Sequence, residues 1–293
     1  MAIKHFGLKS EHEKLTAVML YAPGPEIGSH PDPRSIHHLR PMDHAAISRE
    51  FDRIITVFSD LGIQVIRMDP APIDDDRSYL FNMMYCRDLF FMTPGGAILA
   101  NMANETRRGE VRYAERALRS NGVPIVHAVS GEGRFEGADA VWVTERLVMV
   151  GVGNRTNKQA CEQIKNTLRE MDVECVAVRS HQTRTQHLLG TVQIVDKDLA
   201  LVRHEIADTA VIRLLEDHHL TVVRIPENSE VLAKQAMNLV TVSPRKIIMT
   251  AGCPGTREIY ARAGLTIAAE LELSQLMCGA GGLACATGMI ARV

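Results

Sequence analysis

The chain has 293 residues, of which 46% are hydrophobic and 23% are charged, and its formal net charge is −2. This composition is ordinary for a folded globular protein, and the length fits one large domain or two small ones. The 33 basic residues form no long run and aromatic residues make up 4%, which disfavours nucleic-acid binding and a polybasic membrane anchor. No apolar stretch reaches the ~18 residues of a membrane span, and the N-terminus lacks the apolar run of a secretory signal.

The chain contains six cysteines but no Cys-x-x-Cys pair. They are Cys86, Cys161, Cys175, Cys253, Cys278 and Cys285. A chain of this length and apolar content does not need disulfides to be stable. We therefore expect reduced thiols in a cytoplasmic protein, most of them buried as small hydrophobic residues.

The first predicted elements are a strand at Leu15–Tyr21 and a long loop over residues 22–45. The loop is rich in proline and histidine: Pro23, Pro25, Pro31, Pro33, Pro41, His30, His37, His38 and His44. A loop of this length in a compact domain is usually functional or disordered, so we predict a mobile lid. The histidines do not have metal-ligand spacing, and we expect them to be solvated.

Four later segments share one pattern, which is a strand, a tight turn and a second strand. They are Phe91–Ala100, Trp142–Gly151, Gln193–Val202 and Thr241–Thr250. Each has apolar or β-branched residues on both sides of a turn rich in Gly, Pro, Asp or Lys, which is typical of a hairpin. The segments begin about 50 residues apart, and this period indicates a propeller or a solenoid-like array.

Helical patterns and single strands lie between the hairpins. The predicted helices are Arg107–Ser120, Thr156–Met171, Pro226–Gln235 and Thr256–Ala263, and the predicted single strands are Pro124–Val129, Glu174–Val178, Leu220–Ile225 and Leu265–Leu271. Strands at Leu15–Tyr21 and Ala284–Val293 supply a fifth copy, and their pairing would close a ring with no free sheet edge. We predict a single domain over residues 1–293, an α/β five-bladed propeller with pseudo-fivefold ββαβ-type repeats around a central site.

Polar residues occupy equivalent positions just before the hairpins. They are Asp88, Glu136 with Asp139, His187 and Asn238, while Cys285 lies in the predicted last strand. If the repeats surround a pseudo-axis, these side chains converge on one central pocket. Taken alone, Asn238 is interpreted as a structural residue.

Such a set of side chains has a specific chemistry. A cysteine beside a histidine is a nucleophile with its acid–base partner. Carboxylates raise the pKa of a nearby thiol, so they make sense only where the substrate is a cation. A guanidinium offers a planar fork of N–H donors to two carboxylates, and the bound cation would favour the thiolate.

Six short motifs follow one another along the chain. They are Arg87-Asp88, Arg107-Arg-Gly-Glu110, Glu136-Gly-Ala-Asp139, Arg155-Thr-Asn157, His187-Leu188 and Gly281-Gly-Leu-Ala-Cys285. In this order they resemble the motifs of the guanidine-modifying superfamily, which has the pentein fold. That superfamily contains dimethylarginine dimethylaminohydrolases, arginine deiminases and amidinotransferases, and the stretch Ala251–Glu258 is most similar to the first of these.

The resemblance implies a cysteine-dependent mechanism. Cys285 would attack the guanidinium carbon, and His187 would protonate the leaving amine and then activate water. Glu136 and Asp88 would hold the guanidinium nitrogens, with Asp139 close to them. The partner would be a small-molecule guanidine, and no metal or organic cofactor is implied.

The resemblance also implies how the rest of the substrate is held. Arg107 and Arg155 would bind the carboxylate of an amino acid. Asn82 stands where the dimethylarginine branch has an aspartate for the amino group, and Leu189 stands where arginine deiminases have an aspartate. These two departures leave the amine end of the substrate open and disfavour a typical arginine deiminase.

The function predicted from these residues is hydrolysis of an Nω-methylated arginine to citrulline and an alkylamine. Arginine deiminase and amidinotransferase activities use the same chemistry and stay as alternatives. A non-catalytic pentein binding protein is a remote alternative, because such a protein needs no Cys/His/carboxylate set. A homodimer is kept as a hypothesis, and no nucleic-acid or membrane partner is expected.

Overall fold

The computed structural model describes residues 5–69, 80–180 and 185–293. The strands in these ranges are β1 (Leu15–Leu20), β2 (Gln64–Arg67), β3 (Phe90–Thr93), β4 (Gly96–Leu99), β5 (Ile125–Ala128), β6 (Ala140–Thr144), β7 (Leu147–Val152), β8 (Glu174–Arg179), β9 (Val192–Asp196), β10 (Leu199–Arg203), β11 (Thr221–Ile225), β12 (Val240–Ser243), β13 (Lys246–Thr250), β14 (Thr266–Leu271) and β15 (Gly288–Arg292). Residues 1–4, 70–79 and 181–184 of the predicted domain lie outside the described residues.

The strands form five three-stranded sheets with one shared topology. Their orders are β15-β1-β2, β3-β4-β5, β6-β7-β8, β9-β10-β11 and β12-β13-β14. In each sheet the middle strand pairs antiparallel with one neighbour and parallel with the other. The four predicted hairpins are confirmed. This mixed α/β fold, with five sheets of equal size, fits a propeller-like arrangement.

The two ends of the described chain meet in the first sheet. Strand β15 pairs antiparallel with β1, with Val18 opposite Met289, so the predicted pairing of the terminal strands is confirmed. The expectation that this pairing leaves no free edge is wrong. Among the described residues, the strand pairing forms five separate sheets, and each sheet ends at its first and third strands.

A parallel pair of strands needs a crossover connection, and helices supply it in every sheet. The helices are α1 (His44–Asp60), α2 (Val111–Ser120), α3 (Lys158–Arg169), α4 (Thr209–Asp217), α5 (Ser229–Ala233), α6 (Pro254–Arg262) and α7 (Leu283–Ala286). The crossovers are α1, α2, α3, α4 and α6. Helices α2, α3, α5 and α6 confirm the four predicted ones, but α5 lies between two sheets and is not a crossover.

Helices α1 and α4 are not among the predicted helices, although both carry helix signals. Asp43 accepts a hydrogen bond from the Ala46 N–H at 2.6 Å, and Asp208 caps α4 in the same way. Buried residues at helical spacing, Ile47, Phe51, Ile54 and Phe58, form the inner face of α1. An N-cap followed by this spacing is enough to predict a helix.

The sheets form the interior and their middle strands are buried almost throughout. In β7, for example, the burial extends from Leu147 to Gly151, so both faces of the strand are covered. A strand covered on both faces is a continuous apolar run instead of an alternating one. Among the described residues, no helix has both the length and the apolar character needed to cross a membrane.

In four of the five sheets, a short helical turn directly precedes the first strand and positions the polar residues found there. These turns are Cys86–Asp88 before β3, Gly137–Asp139 before β6, Leu188–Gly190 before β9 and α7 before β15. Cys285 therefore lies in a helical turn, and its predicted position in the last strand is wrong. The physical reason is a side-chain cap, because Asn238 Oδ1 accepts hydrogen bonds from the Ala284 and Cys285 N–H groups.

The segment 22–45 contains two short 3-10 turns, Pro25–Gly28 and Pro33–Ile36. His38 is buried in it, with an exposed fraction of 2%, so the expectation of solvated histidines is wrong at this position. Burial lowers the pKa of His38 to about 4. A neutral imidazole here fits an apolar setting better than a charged one.

Candidate active site

One cavity of about 390 Å³ collects most of the polar residues that precede the first strands. Its wall includes Asp88, His187, Asn238 and Cys285, each from the approach to a different sheet. A cavity of this size can enclose a small ligand. The predicted convergence of these side chains on one pocket is therefore seen in the structure.

His187 lies between two buried carboxylates. Its Nε2 is 2.6 Å from Glu136 Oε2, and its Nδ1 is 3.7 Å from Asp88 Oδ1. Burial disfavours the imidazolium, but the charge of Asp88 and the hydrogen bond with Glu136 outweigh it and raise the pKa of His187 to about 9. A histidine that is protonated at neutral pH can donate a proton to a leaving group.

Glu136 lies behind His187 instead of on the cavity wall. Its side chain has no exposed surface, and Oε1 is 3.6 Å from Nη1 of Arg155. Burial favours the neutral acid, but the hydrogen bond and the charge of His187 lower the pKa of Glu136 to about 2. This geometry favours a role in keeping His187 protonated, whereas the family resemblance implies that Glu136 holds the guanidinium of the substrate.

Asp88 has one occupied and one unoccupied oxygen. Oδ2 is 2.7 Å from Nη1 of Arg107. Oδ1 is buried without a hydrogen-bond partner, since His187 is too far away at 3.7 Å. A buried carboxylate oxygen without a donor is costly, and a ligand with an N–H group would satisfy it.

The two arginines predicted to bind the substrate carboxylate differ in their burial and in how many protein groups their guanidinium already contacts. Arg107 is buried, and its guanidinium donates to Asp88, to Glu110 at 3.0 Å and to the Asn82 carbonyl oxygen at 3.1 Å. The side chain of Arg155 is 17% exposed, and its guanidinium donates to Gln186 at 2.7 Å. Both residues line the cavity, but Arg155 is the more available for a ligand carboxylate.

Asp139 supports the turn that carries His187. Its oxygens accept hydrogen bonds from the Thr156 hydroxyl at 2.7 Å and from the Leu188 N–H at 2.9 Å. Burial raises the pKa of Asp139 to about 6, although His187 and these donors oppose the shift. Because protein donors occupy both oxygens, the geometry favours positioning of His187 over contact with a substrate.

Cys285 is the one cysteine that is partly exposed, and the other five are buried. Its sulfur accepts a hydrogen bond from Asn238 Nδ2 at 3.0 Å. Burial and the charge of Asp88 raise the pKa of Cys285, whereas hydrogen bonds from Asn238 and the Gly282 backbone lower it. The net shift is upward, so the residues of the pocket by themselves favour the thiol at neutral pH.

The glycines before Cys285 make room for two side chains. A Cβ on Gly282 would lie 2.7 Å from Asn238 Cγ, and a Cβ on Gly281 would overlap the ring of Tyr85. Tyr85 also donates to the Leu276 carbonyl oxygen at 2.8 Å. The glycine-rich run is therefore a packing requirement of the pocket.

Asp88, Glu136 and His187 also have the composition of a metal site. Their ligand atoms lie within 4.8 Å of one another. However, a proton already joins His187 Nε2 to Glu136, and Arg107 pairs with Asp88. A metal ion would have to displace these contacts, so the arrangement favours a hydrogen-bonded acid–base group.

The segment 22–45 borders the same cavity. His37 lines it and contacts Asn104, and Asn82 Nδ2 donates to the Ile36 carbonyl oxygen at 2.8 Å. The Leu39 N–H donates to the Cys278 carbonyl oxygen at 2.7 Å. Asn82, which departs from the family pattern, therefore holds this segment.

Comparisons with known proteins agree with this architecture. The family model for arginine deiminase matches residues 78–213. An uncharacterised protein of Aeropyrum pernix is 27% identical over 189 residues, which span 64% of this chain and 65% of that protein. The dimethylarginine dimethylaminohydrolase of Pseudomonas aeruginosa is 24% identical over 248 residues, which span 85% of this chain and 90% of that enzyme.

Solved structures show the same fold over nearly the whole chain. The Pseudomonas aeruginosa enzyme complexed with citrulline has a TM-score of 0.74 at 20% identity and covers 96% of this chain and 100% of its own. An amidinotransferase of the saxitoxin pathway from Microseira wollei has a TM-score of 0.79 at 15% identity and covers 98% and 97%. The family model, these relatives and the shared fold support a place for the chain in the pentein superfamily, near the dimethylarginine dimethylaminohydrolases, as the ordered motifs imply.

Proposed function

We propose that the chain is a cysteine-dependent hydrolase that converts Nω,Nω-dimethyl-L-arginine, or the monomethyl form, into citrulline and an alkylamine. The observation that carries this proposal is the unpartnered Oδ1 of Asp88 on a cavity wall shared with Cys285 and His187. A guanidinium would satisfy that oxygen with an N–H group and would present its carbon to the cysteine. The named dimethylarginine relative supports the choice of substrate.

The reaction needs a thiolate and a proton donor in one pocket. The bound guanidinium would offset the charge of Asp88, which otherwise raises the pKa of Cys285. The Cys285 thiol then loses its proton to solvent, and the thiolate sulfur bonds to the guanidinium carbon. The carbon–nitrogen bond to the alkylamine breaks as His187 gives its proton to the leaving nitrogen. The product of this step is a covalent thiouronium adduct.

Water completes the reaction. His187, now neutral, takes a proton from water as the oxygen bonds to the adduct carbon. The carbon–sulfur bond then breaks and the remaining hydroxyl proton is lost to solvent as the carbonyl group forms. Citrulline leaves, and the thiolate is restored. Glu136, at 2.6 Å from His187, would stabilise the imidazolium before and after each transfer.

Product analysis by mass spectrometry tests this proposal. The protein would be incubated separately with dimethylarginine, monomethylarginine, arginine and guanidino acids that lack an amino group. We expect citrulline and dimethylamine from dimethylarginine. Cys285→Ser should reduce turnover by about 10³-fold or more, because the alcohol is a far weaker nucleophile.

Cys278→Ser is the matched control, because Cys278 is buried seven residues earlier and does not line the cavity. This variant should retain activity. Ammonia from arginine alone would assign an arginine deiminase, and turnover only with an added acceptor amine would assign an amidinotransferase. A folded protein that is inactive with every compound would contradict the enzyme proposal and favour a binding role.

We also propose that the five sheets are the blades of one ring, with the segment 22–45 as a lid. The shared sheet topology and the convergence of four pre-strand residues on one cavity support the ring. The contact of His37 with the cavity and the hydrogen bonds to Asn82 and Cys278 support the lid.

A further inference from the structure

Asn238 makes an unusually complete set of contacts with the turn that carries Cys285. Its Oδ1 accepts hydrogen bonds from the Ala284 N–H at 2.7 Å and from the Cys285 N–H at 3.2 Å. Its Nδ2 donates to Cys285 Sγ at 3.0 Å and to Gln235 Oε1 at 3.3 Å. Both heavy atoms of the amide are therefore engaged, and two of its contacts reach Cys285 itself.

The orientation of this amide is fixed by its neighbours. An amide oxygen can accept from the two backbone N–H groups, whereas an amide nitrogen cannot, so Oδ1 must point toward Ala284 and Cys285. Gln235 Oε1 is an acceptor and needs the Nδ2 group on the other side. With the oxygen placed in this way, an N–H bond of Asn238 must point at the sulfur.

The surrounding backbone is built to let Asn238 approach. Gly282 has no Cβ, and one added there would lie 2.7 Å from Asn238 Cγ and 2.9 Å from its Cβ and Oδ1. No side chain larger than hydrogen fits at this position without displacing the amide. The position of Asn238 is therefore as restricted as that of Cys285.

We propose that Asn238 is a positioning residue that holds the Cys285 turn against the cavity and donates a hydrogen bond that stabilises the thiolate. The proposal deepens the function proposed above and rests on Cys285 as its nucleophile. A neutral N–H donor favours the charged form of an acceptor without adding a cation that would repel a guanidinium. Hydrogen bonds to a charged group are also stronger than those between neutral groups.

The experiment measures the pH dependence of alkylation at Cys285 by iodoacetamide, which requires no substrate. The rate is followed by mass spectrometry on the peptide that contains Cys285. Asn238→Asp keeps an acceptor for the two backbone N–H groups but replaces the donor at the sulfur by a carboxylate. We expect its alkylation curve to shift upward by about one pH unit or more, with about tenfold slower reaction at neutral pH.

Asn157→Asp is the matched control. Asn157 also accepts from two backbone N–H groups, of Ala160 and Arg134, and donates through Nδ2, but its acceptor is the Glu132 carbonyl oxygen. This variant should leave the alkylation curve of Cys285 unchanged. Asn238→Ser is a second test, because a hydroxyl can still accept a backbone hydrogen bond while the shorter side chain withdraws from the sulfur.

The outcomes separate this role from the proposed function. An unchanged curve in folded Asn238→Asp and Asn238→Ser, or an equal shift in Asn157→Asp, would overturn the role of Asn238. A shifted curve in the Asn238 variants, combined with a wild-type protein that hydrolyses none of the guanidines, would leave the role intact and refute the function. Turnover by the wild type, combined with an unaltered pH dependence of Cys285 alkylation in the Asn238 variants, would support the function and refute the role.

Discussion

At the scale of single residues, paired groups in and behind the pocket wall shift each other's pKa values. The hydrogen bond between His187 and Glu136 raises the pKa of His187 to about 9 and lowers the pKa of Glu136 to about 2. Both groups therefore stay charged across the neutral range. Asp88 lies on the other side of the imidazole and adds to the first of these shifts.

The pair makes a prediction about stability at alkaline pH. The pKa of His187 is about 9 in the folded chain and 6.5 for an ordinary histidine, so its stabilising charge is complete below pH 6.5 and lost as the pH rises through 9. The free energy of unfolding should fall between these values by about 3 kcal/mol at most. Denaturant titrations at several pH values measure this change.

The double variant His187→Asn with Glu136→Gln removes both titrating groups and should flatten this slope. His218→Asn changes an exposed histidine and should keep the wild-type slope. A slope that persists in the double variant would show that other groups cause it. At acid pH the contribution of Glu136 should be lost as the pH falls from 4.5 through about 2.

The identities of the pocket residues could be predicted from the sequence, but not all their contacts. Asp88, Glu136 and His187 could be found because each precedes a recurring strand pattern, and Cys285 because it ends the motif Gly281-Gly-Leu-Ala-Cys285. Asn238 had the same positional signal. Its contact with the sulfur depends on the fold of another turn, about 46 residues away in sequence, which no local pattern encodes.

At the scale of elements, the short turns before the first strands pack directly on one another. Gly137, in the turn before β6, has no room for a side chain because the Phe90 and Arg87 carbonyl oxygens lie against it, the latter 2.6 Å from where a Cβ would be. The turns that carry Asp88 and Glu136 are therefore held together by backbone contact. A side chain here would separate the two carboxylates.

Gly137→Ala should destabilise the protein by about 1–3 kcal/mol, because two turns would have to move apart. Thermal or denaturant unfolding measures the loss, and turnover should fall with it because Glu136 and Asp88 shift. Gly255→Ala, in helix α6, is the control: a Cβ there would lie 3.4 Å from the Glu230 side chain, which is an ordinary contact distance. We expect it to be neutral or stabilising by up to about 1 kcal/mol, and equal losses in the two variants would contradict this account.

Most strands and helices could be predicted from the periodicity of the sequence. The errors occur where tertiary contacts determine the bounds of an element. All four hairpins and the third strands of their sheets agree with the sequence pattern. The last strand was placed too early, because its first residues form α7 under the cap of Asn238. The short strand β2 (Gln64–Arg67) was not identified, since four residues carry too little periodicity to distinguish a strand.

At the scale of the whole molecule, the first sheet joins the two ends of the described chain. Strand β15 contributes the buried residues Ile290 and Ala291, and the Gly7 N–H donates to the Ile290 carbonyl oxygen at 2.9 Å. This sheet has the same topology as the others, although its strands come from opposite ends of the sequence. Its integrity therefore depends on contacts of the highest possible sequence separation.

A chain truncated after Thr287 should fail to fold cooperatively, because β1 would lose its antiparallel partner and its apolar face would be exposed. Circular dichroism and a thermal scan measure this loss. Removal of Val293 alone is the control, since that side chain is 62% exposed and should be dispensable. A truncated chain with a sharp, wild-type transition would show that β15 adds little to the fold.

The segment before the first strand of each sheet brings one or more polar groups to the region of the cavity. This arrangement has a consequence for how the protein loses activity. No short stretch of the chain contains all these pocket residues, because Asp88 and Cys285 are separated by nearly two hundred residues of sequence. A nick, a local opening or a misfolded repeat anywhere among the contributing sheets disassembles the chemistry before the rest of the structure is lost. Any activity of this pocket therefore depends on every contributing sheet. Its loss should be detectable before global unfolding, even when the damage lies far from the pocket.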